Sequence, residues 1–213
     1  MYSVIFDMDG TLLDTQRIYI PAWDYAGENQ GFKKCGDHIK NVLGTNEEAW
    51  TQYLVDNFKG VDVARFKADA ADYIKKNIVI RFKEGAEELI AYLRKNGIKY
   101  AIGSGAATEL IRTYLQVLGA SDLFDTVAGG EEIKNSKPAP DTFLLAAEKM
   151  GVDPKECFVF EDSDNGALAA YNAGMKCIGI PDVVPFSRET KSHLFAELGN
   201  LAEAIEVFEA LKH

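Results

Sequence analysis

Asp7 and Asp9 stand two residues apart directly behind the apolar run Val4-Ile5-Phe6, and Gly10 turns the chain after them. A short β-branched and aromatic run of this kind suits a fully buried strand. Two carboxylates at the mouth of such a strand cost free energy unless something pairs them. A hard divalent cation is a fitting partner, since Mg²⁺ takes one or two carboxylates together with substrate phosphate. A solvated turn rich in Asp and Gly is the plain alternative for this stretch taken alone. Later in the chain, Ser104 and the pair Glu161-Asp162 each follow a short apolar segment, and Lys137 lies in the loop after another. Acids to hold a cation, a hydroxyl at a helix start and one lysine together describe phosphoryl transfer.

The elements that must carry these residues alternate regularly after Glu84. A helix from Gly85 to Asn96 leads to a strand from Lys99 to Ile102, and Gly103-Ser104-Gly105 then opens a helix that ends at Gly119. A short strand follows near Thr126 to Ala128, then a helix begun at Pro140 and ended at Gly151. Cys157 to Phe160 reads as a strand, Ser163 to Ala173 as a helix, and Lys176 to Ile180 as the last strand before a final helix from Ala202 to Leu211. Strand and helix in alternation with short links predict an α/β fold with a parallel, doubly wound, Rossmann-like sheet. In such a sheet the ligand crevice lies beyond the carboxyl ends of the strands, so all the polar groups above converge. Helix starts favour anions, so Ser104 with the Gly105 and Ala106 amides could grip phosphate oxygens. Lys137 would add a compact positive charge.

Between the first strand and the second, residues 15–81 show only helical spacing: Ile18, Ala22, Tyr25 and Ala26; then Ile39, Val42 and Leu43; then Ala49, Trp50, Tyr53 and Leu54; then Val63 to Ile78. This predicts an inserted all-α unit at 15–81, a helical cap, and an α/β core made of 1–14 and 82–213. Trp23 and Trp50 belong to the core of that insert, while Lys33, Lys34, Thr45 and Asn46 occupy loops from which it could reach a substrate.

Composition bounds the partners. The chain has 213 residues, a formal net charge of −10, 47% apolar and 26% charged residues. That charge repels nucleic acid, and Lys33-Lys34 with Lys40 is too small a cluster to offset it. No apolar run reaches the length of a membrane span, and a strand is predicted to begin at Tyr2 where a leader would lie. Cys35, Cys157 and Cys177 lack metal-ligand spacing, so structural thiols in a reducing cytoplasm are expected. His38, His193 and His213 form no recognisable triad with Ser104. Gly103-Ser-Gly105-Ala-Ala-Thr108 lacks the third glycine of a dinucleotide loop.

Taken together, Asp7-Met-Asp-Gly-Thr-Leu-Leu-Asp, Ser104, Lys137-Pro-Ala-Pro-Asp and Glu161-Asp-Ser-Asp-Asn-Gly-Ala-Leu-Ala-Ala-Tyr-Asn-Ala-Gly-Met resemble the four motifs of the haloacid dehalogenase-like hydrolase superfamily. The match runs in order along nearly the whole chain. Its cap placement resembles the phosphoglycolate phosphatase and β-phosphoglucomutase branch. The resemblance implies that Asp7 is the nucleophile forming an aspartyl-phosphate and Asp9 the general acid/base. It also implies that Asp7, the Asp9 backbone carbonyl and Asp162 hold Mg²⁺ with support from Glu161, and that Ser104 and Lys137 bind the transferring phosphoryl group. Glu161 is left open between direct cation contact and support from behind, Asp14 and Asp164 read as turn or cap residues, and the Lys137-Pro138 bond is left open between trans and a cis turn.

Resemblance also bears on the substrate. Where the mutase has an Arg in a cap loop, this chain has Leu43-Gly44-Thr45-Asn46; where it has Lys-Asn after the serine, this chain has Gly105-Ala106-Ala107; and Tyr19 stands where it has a cap His. These departures favour a phosphatase acting, as a monomer, on a small phosphorylated metabolite such as a sugar phosphate. A phosphosugar mutase is the alternative. A non-catalytic receiver-like module would share the acids, hydroxyl and lysine around Mg²⁺, but would not carry a helical insert after its first strand.

Overall fold

β1 (Ser3–Phe6) is buried along its whole length, as its Ser-Val-Ile-Phe sequence requires. The computed structural model describes residues 2–42 and 47–212. Beside β1 lie β2 (Tyr100–Gly103), β3 (Thr126–Ala128), β4 (Cys157–Glu161), β5 (Lys176–Gly179) and β6 (Leu194–Glu197), in the order β3-β2-β1-β4-β5-β6. Every pairing is parallel. Phe6 aligns with Ile102 on one side and Phe160 on the other, so β1, β2 and β4 end level with each other. The expectation that the series closes at Lys176 to Ile180 is corrected by β6. Its four residues are at most half-buried, and its register slips between Cys177 and Ile178, so it carries little of the apolar signal that marks an interior strand.

The chain divides into two compact units, Met1–Asp14 with Ile80–His213, and Thr15–Val79. The second contains α1 (Tyr19–Glu28), α2 (Glu47–Asn57) and α3 (Val63–Asn77). Its aromatic centre sets Trp23 edge-on to Phe66 at 5.3 Å between ring centres, with Trp50 6.0 Å away. α3 starts where Asp62 accepts a hydrogen bond from the Arg65 amide at 3.1 Å, an N-cap that satisfies an otherwise orphaned donor. The stretch around Ile39 and Val42, expected as an α-helix, is a 3₁₀ helix over Cys35–Asn41. It is tied down by the Gly36 amide, which donates to Asp24 Oδ1 at 2.8 Å. Cys35 is buried there, and Cys157 and Cys177 are buried in the sheet. Burial pushes the Cys35 and Cys157 thiols up to about 11 and raises Cys177 as well, so all three stay protonated.

The α/β unit adds α4 (Ala86–Lys95), α5 (Thr108–Val117), α6 (Asp141–Met150), α7 (Asp164–Asn172), the short α8 (Arg188–Lys191) and α9 (Ala204–Ala210). Alternate residues of β1 feed the two faces of the sheet. Val4 and Phe6 pack with Leu89, Ile90, Leu93, Ile111 and Phe208 of α4, α5 and α9, whereas Ile5 packs with Phe143, Ala147 and Ala167 of α6 and α7. Burying each of the larger side chains is worth about 1.5–3 kcal/mol, which holds β1 firmly within the sheet.

The two segments that flank the inserted helices pair with each other. The Asp14 amide donates to the Arg81 carbonyl at 3.0 Å, the Lys83 amide to the Leu12 carbonyl at 2.9 Å, and Leu13 bridges Phe82. Asp14 also takes both a guanidinium Nε bond at 2.8 Å and an NH2 bond from Arg81. Lys83 Nζ reaches the fully buried Asp182 carboxylate, beyond β5, at 2.7 Å.

Candidate active site

The strand order reverses between β1 and β4, and the residues that follow these two strands face one another at their carboxyl ends. The Asp7 amide extends the ladder by donating to the Phe160 carbonyl at 3.0 Å. Asp7 is thereby fixed beside Glu161 and Asp162. All three carboxyl groups are buried, and an oxygen from each lies within 4.8 Å of the others. Lys137 enters from the loop after β3. Its Nζ donates to Asp7 Oδ1 at 2.5 Å and to Glu161 Oε1 at 2.6 Å, and it lies 4.7 Å from the centre of the Phe143 ring.

Glu161 is saturated on its other oxygen. Oε2 accepts from the Asp162 amide at 2.9 Å, the Ser163 amide at 3.0 Å and Ser163 Oγ at 3.0 Å. The carboxylate fits there because α7 has glycine at position 166; a Cβ at that position would lie 1.7 Å from Glu161 Oε1. Asp162 accepts from the buried Thr11 hydroxyl at 3.2 Å. Neither Thr11, Ser163 nor Gly166 stands out by side-chain chemistry in the sequence, although each adjoins or lies within a stretch that does.

Three carboxylates against one ammonium leave a formal excess of two negative charges in a buried site. Burial, followed by the ammonium that opposes it and by the Glu161 charge, pushes Asp7 up to about 7. Burial and then the Glu161 and Asp7 charges raise Asp162 well above the usual carboxylate range. Burial alone would lower Lys137, but Asp7 and Glu161 outweigh it and hold the ammonium above its ordinary value. The half-buried Asp9 adds its charge to the shift on Asp7, and its backbone bridges Leu13 in the turn after β1. All the donors offered are hard oxygens in a site short of two positive charges, a set that suits Mg²⁺ better than a soft transition metal.

Ser104 follows β2, is buried, and donates its amide to the Ala128 carbonyl at 3.0 Å. The Ala106 amide, expected as a phosphate donor, points instead at Ser104 Oγ at 3.1 Å and fixes that hydroxyl. Gly105 lies in the same loop. Tyr19 is the first residue of α1 in the helical unit, while Thr45 and Asn46 lie outside the described residues. Asp14 is the partner of Arg81 rather than a simple turn residue, and Asp164 Oδ1 accepts from the Ser187 amide at 3.0 Å. The Lys137-Pro138 bond is cis.

A family model for haloacid dehalogenase-like hydrolases matches residues 4–180, from β1 through β5 and so across every residue of this cluster. The chain belongs to that family. Among curated relatives of this hydrolase, a probable pseudouridine-5'-phosphatase of Drosophila melanogaster is 33% identical, over 93% of this chain and 89% of that protein. A phosphorylated carbohydrates phosphatase of Thermotoga maritima is 30% identical over 100% of this chain and 99% of the relative. Among solved structures, a putative β-phosphoglucomutase from Thermotoga maritima superposes with a TM-score of 0.80 at 26% identity, covering 99% of both chains. This haloacid dehalogenase-like hydrolase therefore shares its fold with a structure named as a putative β-phosphoglucomutase, and its sequence with relatives named as phosphatases. Among the described residues no helix is long and apolar enough to cross a membrane.

Proposed function

We propose that the protein is a Mg²⁺-dependent phosphatase that hydrolyses a small phosphate monoester, a sugar phosphate or a similar metabolite, through an aspartyl-phosphate on Asp7. The observation that carries this reading is the buried set Asp7, Glu161 and Asp162 around a single Lys137. Such a set is costly as a structural device, because three buried carboxylates share one counter-charge. It is well suited to receive a divalent cation and a phosphoryl group. Asp7 and Asp162, with the Asp9 backbone carbonyl, are the residues that would hold the cation. Glu161, whose oxygens are already committed to Lys137, Ser163 and two amides, supports the site from behind. When bound, Mg²⁺ supplies positive charge that favours the ionised form of Asp7 and offsets charge on the phosphoryl oxygens.

The protein's own groups then divide the work. The Asp7 carboxylate attacks phosphorus; the bond to the ester oxygen breaks as the Asp7–phosphorus bond forms. Asp9 gives its proton to the departing alkoxide. In the second half it takes a proton from water, whose oxygen displaces Asp7 and releases inorganic phosphate. Acid/base assistance of this kind typically contributes about 10²–10⁴-fold. Ser104 Oγ and Lys137 Nζ hold the phosphoryl oxygens in line for both displacements.

The names of the curated relatives support a phosphorylated sugar or nucleoside as substrate. Residues 15–81, of which Thr15–Val79 form the compact helical unit, supply the helical cap in this reading, with Tyr19, Thr45 and Asn46 as its specificity positions, and the enzyme works as a cytoplasmic monomer. Screening phosphate monoesters with Mg²⁺ for released phosphate tests the reaction. Turnover that needs no divalent cation, or that survives in Asp7→Asn, would overturn it.

A further inference from the structure

The loop after β3 does more than deliver Lys137. Its first residues grip the Ser104 loop from behind. The Gly130 amide donates to the Ala106 carbonyl at 2.8 Å, and the two backbones are so close that a Cβ on Gly130 would lie 2.1 Å from the Gly105 carbonyl oxygen. Both carboxylate oxygens of Glu131 accept from the Thr108 amide, at 3.1 and 3.0 Å. Glu132 Oε1 accepts from Thr108 Oγ1 at 3.1 Å and from the Gly129 amide at 3.1 Å. Lys149 of α6 locks Glu132 in place at 2.6 Å, while also donating to the Val127 carbonyl at 2.8 Å. The far end of the same loop is pinned as well: Asp141 Oδ1 accepts from the Asn135 amide and side chain, both at 3.1 Å.

We propose that the segment 129–137 is one mount that sets Ser104 and Lys137 relative to each other, and that Gly130 and Glu132 are positioning residues for phosphate binding. This rests on the reading of Ser104 and Lys137 as phosphate ligands. Stability alone explains the arrangement poorly. The side chains of Lys149 and Glu132 are 32% and 33% exposed, and ion pairs so open to water stabilise folds little. Yet the bonds of Glu132 and its neighbours fall on the stretch from Ala106 to Thr108, immediately behind Ser104. A rigid mount matters because phosphoryl transfer relies on positioning, and an error near 1 Å costs on the order of 10²-fold.

The test is direct binding of inorganic phosphate by calorimetry with Mg²⁺ present, beside KM and kcat on para-nitrophenyl phosphate. Ser104→Ala serves as the reference for loss of a phosphate ligand. We expect Glu132→Ala to weaken phosphate about 10-fold and to raise KM similarly, with Tm moved by only about 2 °C. Glu132→Gln, which keeps both acceptor bonds and loses only the ion pair with Lys149, should recover most of the affinity. Gly130→Ala should cost more, on the order of 10²-fold in kcat/KM. Unchanged phosphate affinity in Ser104→Ala would remove the phosphate reading, and the mount with it. A weakened Ser104→Ala beside Glu132→Ala and Gly130→Ala variants that bind phosphate like the parent would overturn the mount alone. So would a Glu132→Ala whose losses follow a collapse in Tm and are not recovered in Glu132→Gln.

Discussion

Asp7 illustrates how burial and function pull in opposite directions. As the proposed nucleophile its carboxylate must be ionised to attack, yet in the protein without a cation burial pushes it up to about 7. The sign of the linked stability follows. With an unfolded value near 3.8, the native state binds more protons than the unfolded state between that value and about 7. The Asp7 contribution is therefore complete below 3.8 and is lost as pH rises through about 7. Asp162 is raised in the same direction, and Lys137 stays charged across this window, so neither reverses the slope. In EDTA, unfolding free energy should fall by on the order of 1 kcal/mol per pH unit as pH is raised from 5 to 7, and Tm should fall with it. Added Mg²⁺ should raise Tm more at the upper end, where the carboxylates it meets are ionised; scanning fluorimetry at several pH values checks both. Asp7→Asn removes one buried negative charge and the proposed nucleophile together. It should abolish phosphate release while raising the metal-free Tm at pH 7, measured on the same preparation by phosphate assay and thermal melt.

At the level of elements, the site depends on where helices and connecting segments admit carboxylates. The first turns of α7 receive the Glu161 side chain against a glycine, so Gly166→Ala should displace that carboxylate and loosen its hold on Lys137. A fall in kcat of about 10–10²-fold is expected, read in steady-state kinetics beside a circular dichroism check of the fold. Lys83 reports on the frame. It faces the buried carboxylate of Asp182, and Lys83→Met would take away its ammonium. Removing one partner of a buried pair costs about 3–5 kcal/mol, which urea denaturation would register as a lower midpoint. The pairing of 12–14 with 81–83 shows the frame's other role, since it brings together the two points where the chain leaves and re-enters the α/β unit.

For the molecule as a whole, the open question of chemistry is hydrolysis against isomerisation. The relatives include phosphatases, and the solved neighbours include a structure named as a putative β-phosphoglucomutase. A mutase must keep a bisphosphate through reorientation and keep water from the aspartyl-phosphate, which requires cationic groups for the second phosphate. The Ser104 loop continues as Gly105-Ala106-Ala107 and offers none. We expect inorganic phosphate from a monophosphate substrate, and little conversion of β-glucose 1-phosphate to glucose 6-phosphate even with bisphosphate primer. A coupled assay following both products decides the matter, and efficient isomerisation without phosphate release would reverse the assignment.

The strand-and-helix alternation after Glu84, the parallel sheet and the resemblance to this hydrolase family were all legible in the sequence. The reason is local: buried parallel strands are short apolar runs, and glycines at 97, 119, 151 and 174 mark where helices stop. Asp7, Ser104, Glu161 and Asp162 could be nominated because each follows such a run, and Lys137 because it lies in the loop after another; strand ends in a parallel sheet share one edge. Spacing in sequence could not decide what each side chain touches. That Lys137 bridges Asp7 and Glu161, that Thr11 serves Asp162, and that Glu131 and Glu132 reach back to Thr108 depend on contacts between residues 23 to 151 positions apart. β6 was hidden for a related reason: a four-residue edge strand is specified by the neighbour it pairs with more than by its own composition. Local pattern determines which elements form and where their ends fall. Only packing decides which polar groups those ends bring together, because hydrogen bonds and buried charges are settled by whatever neighbour the fold supplies.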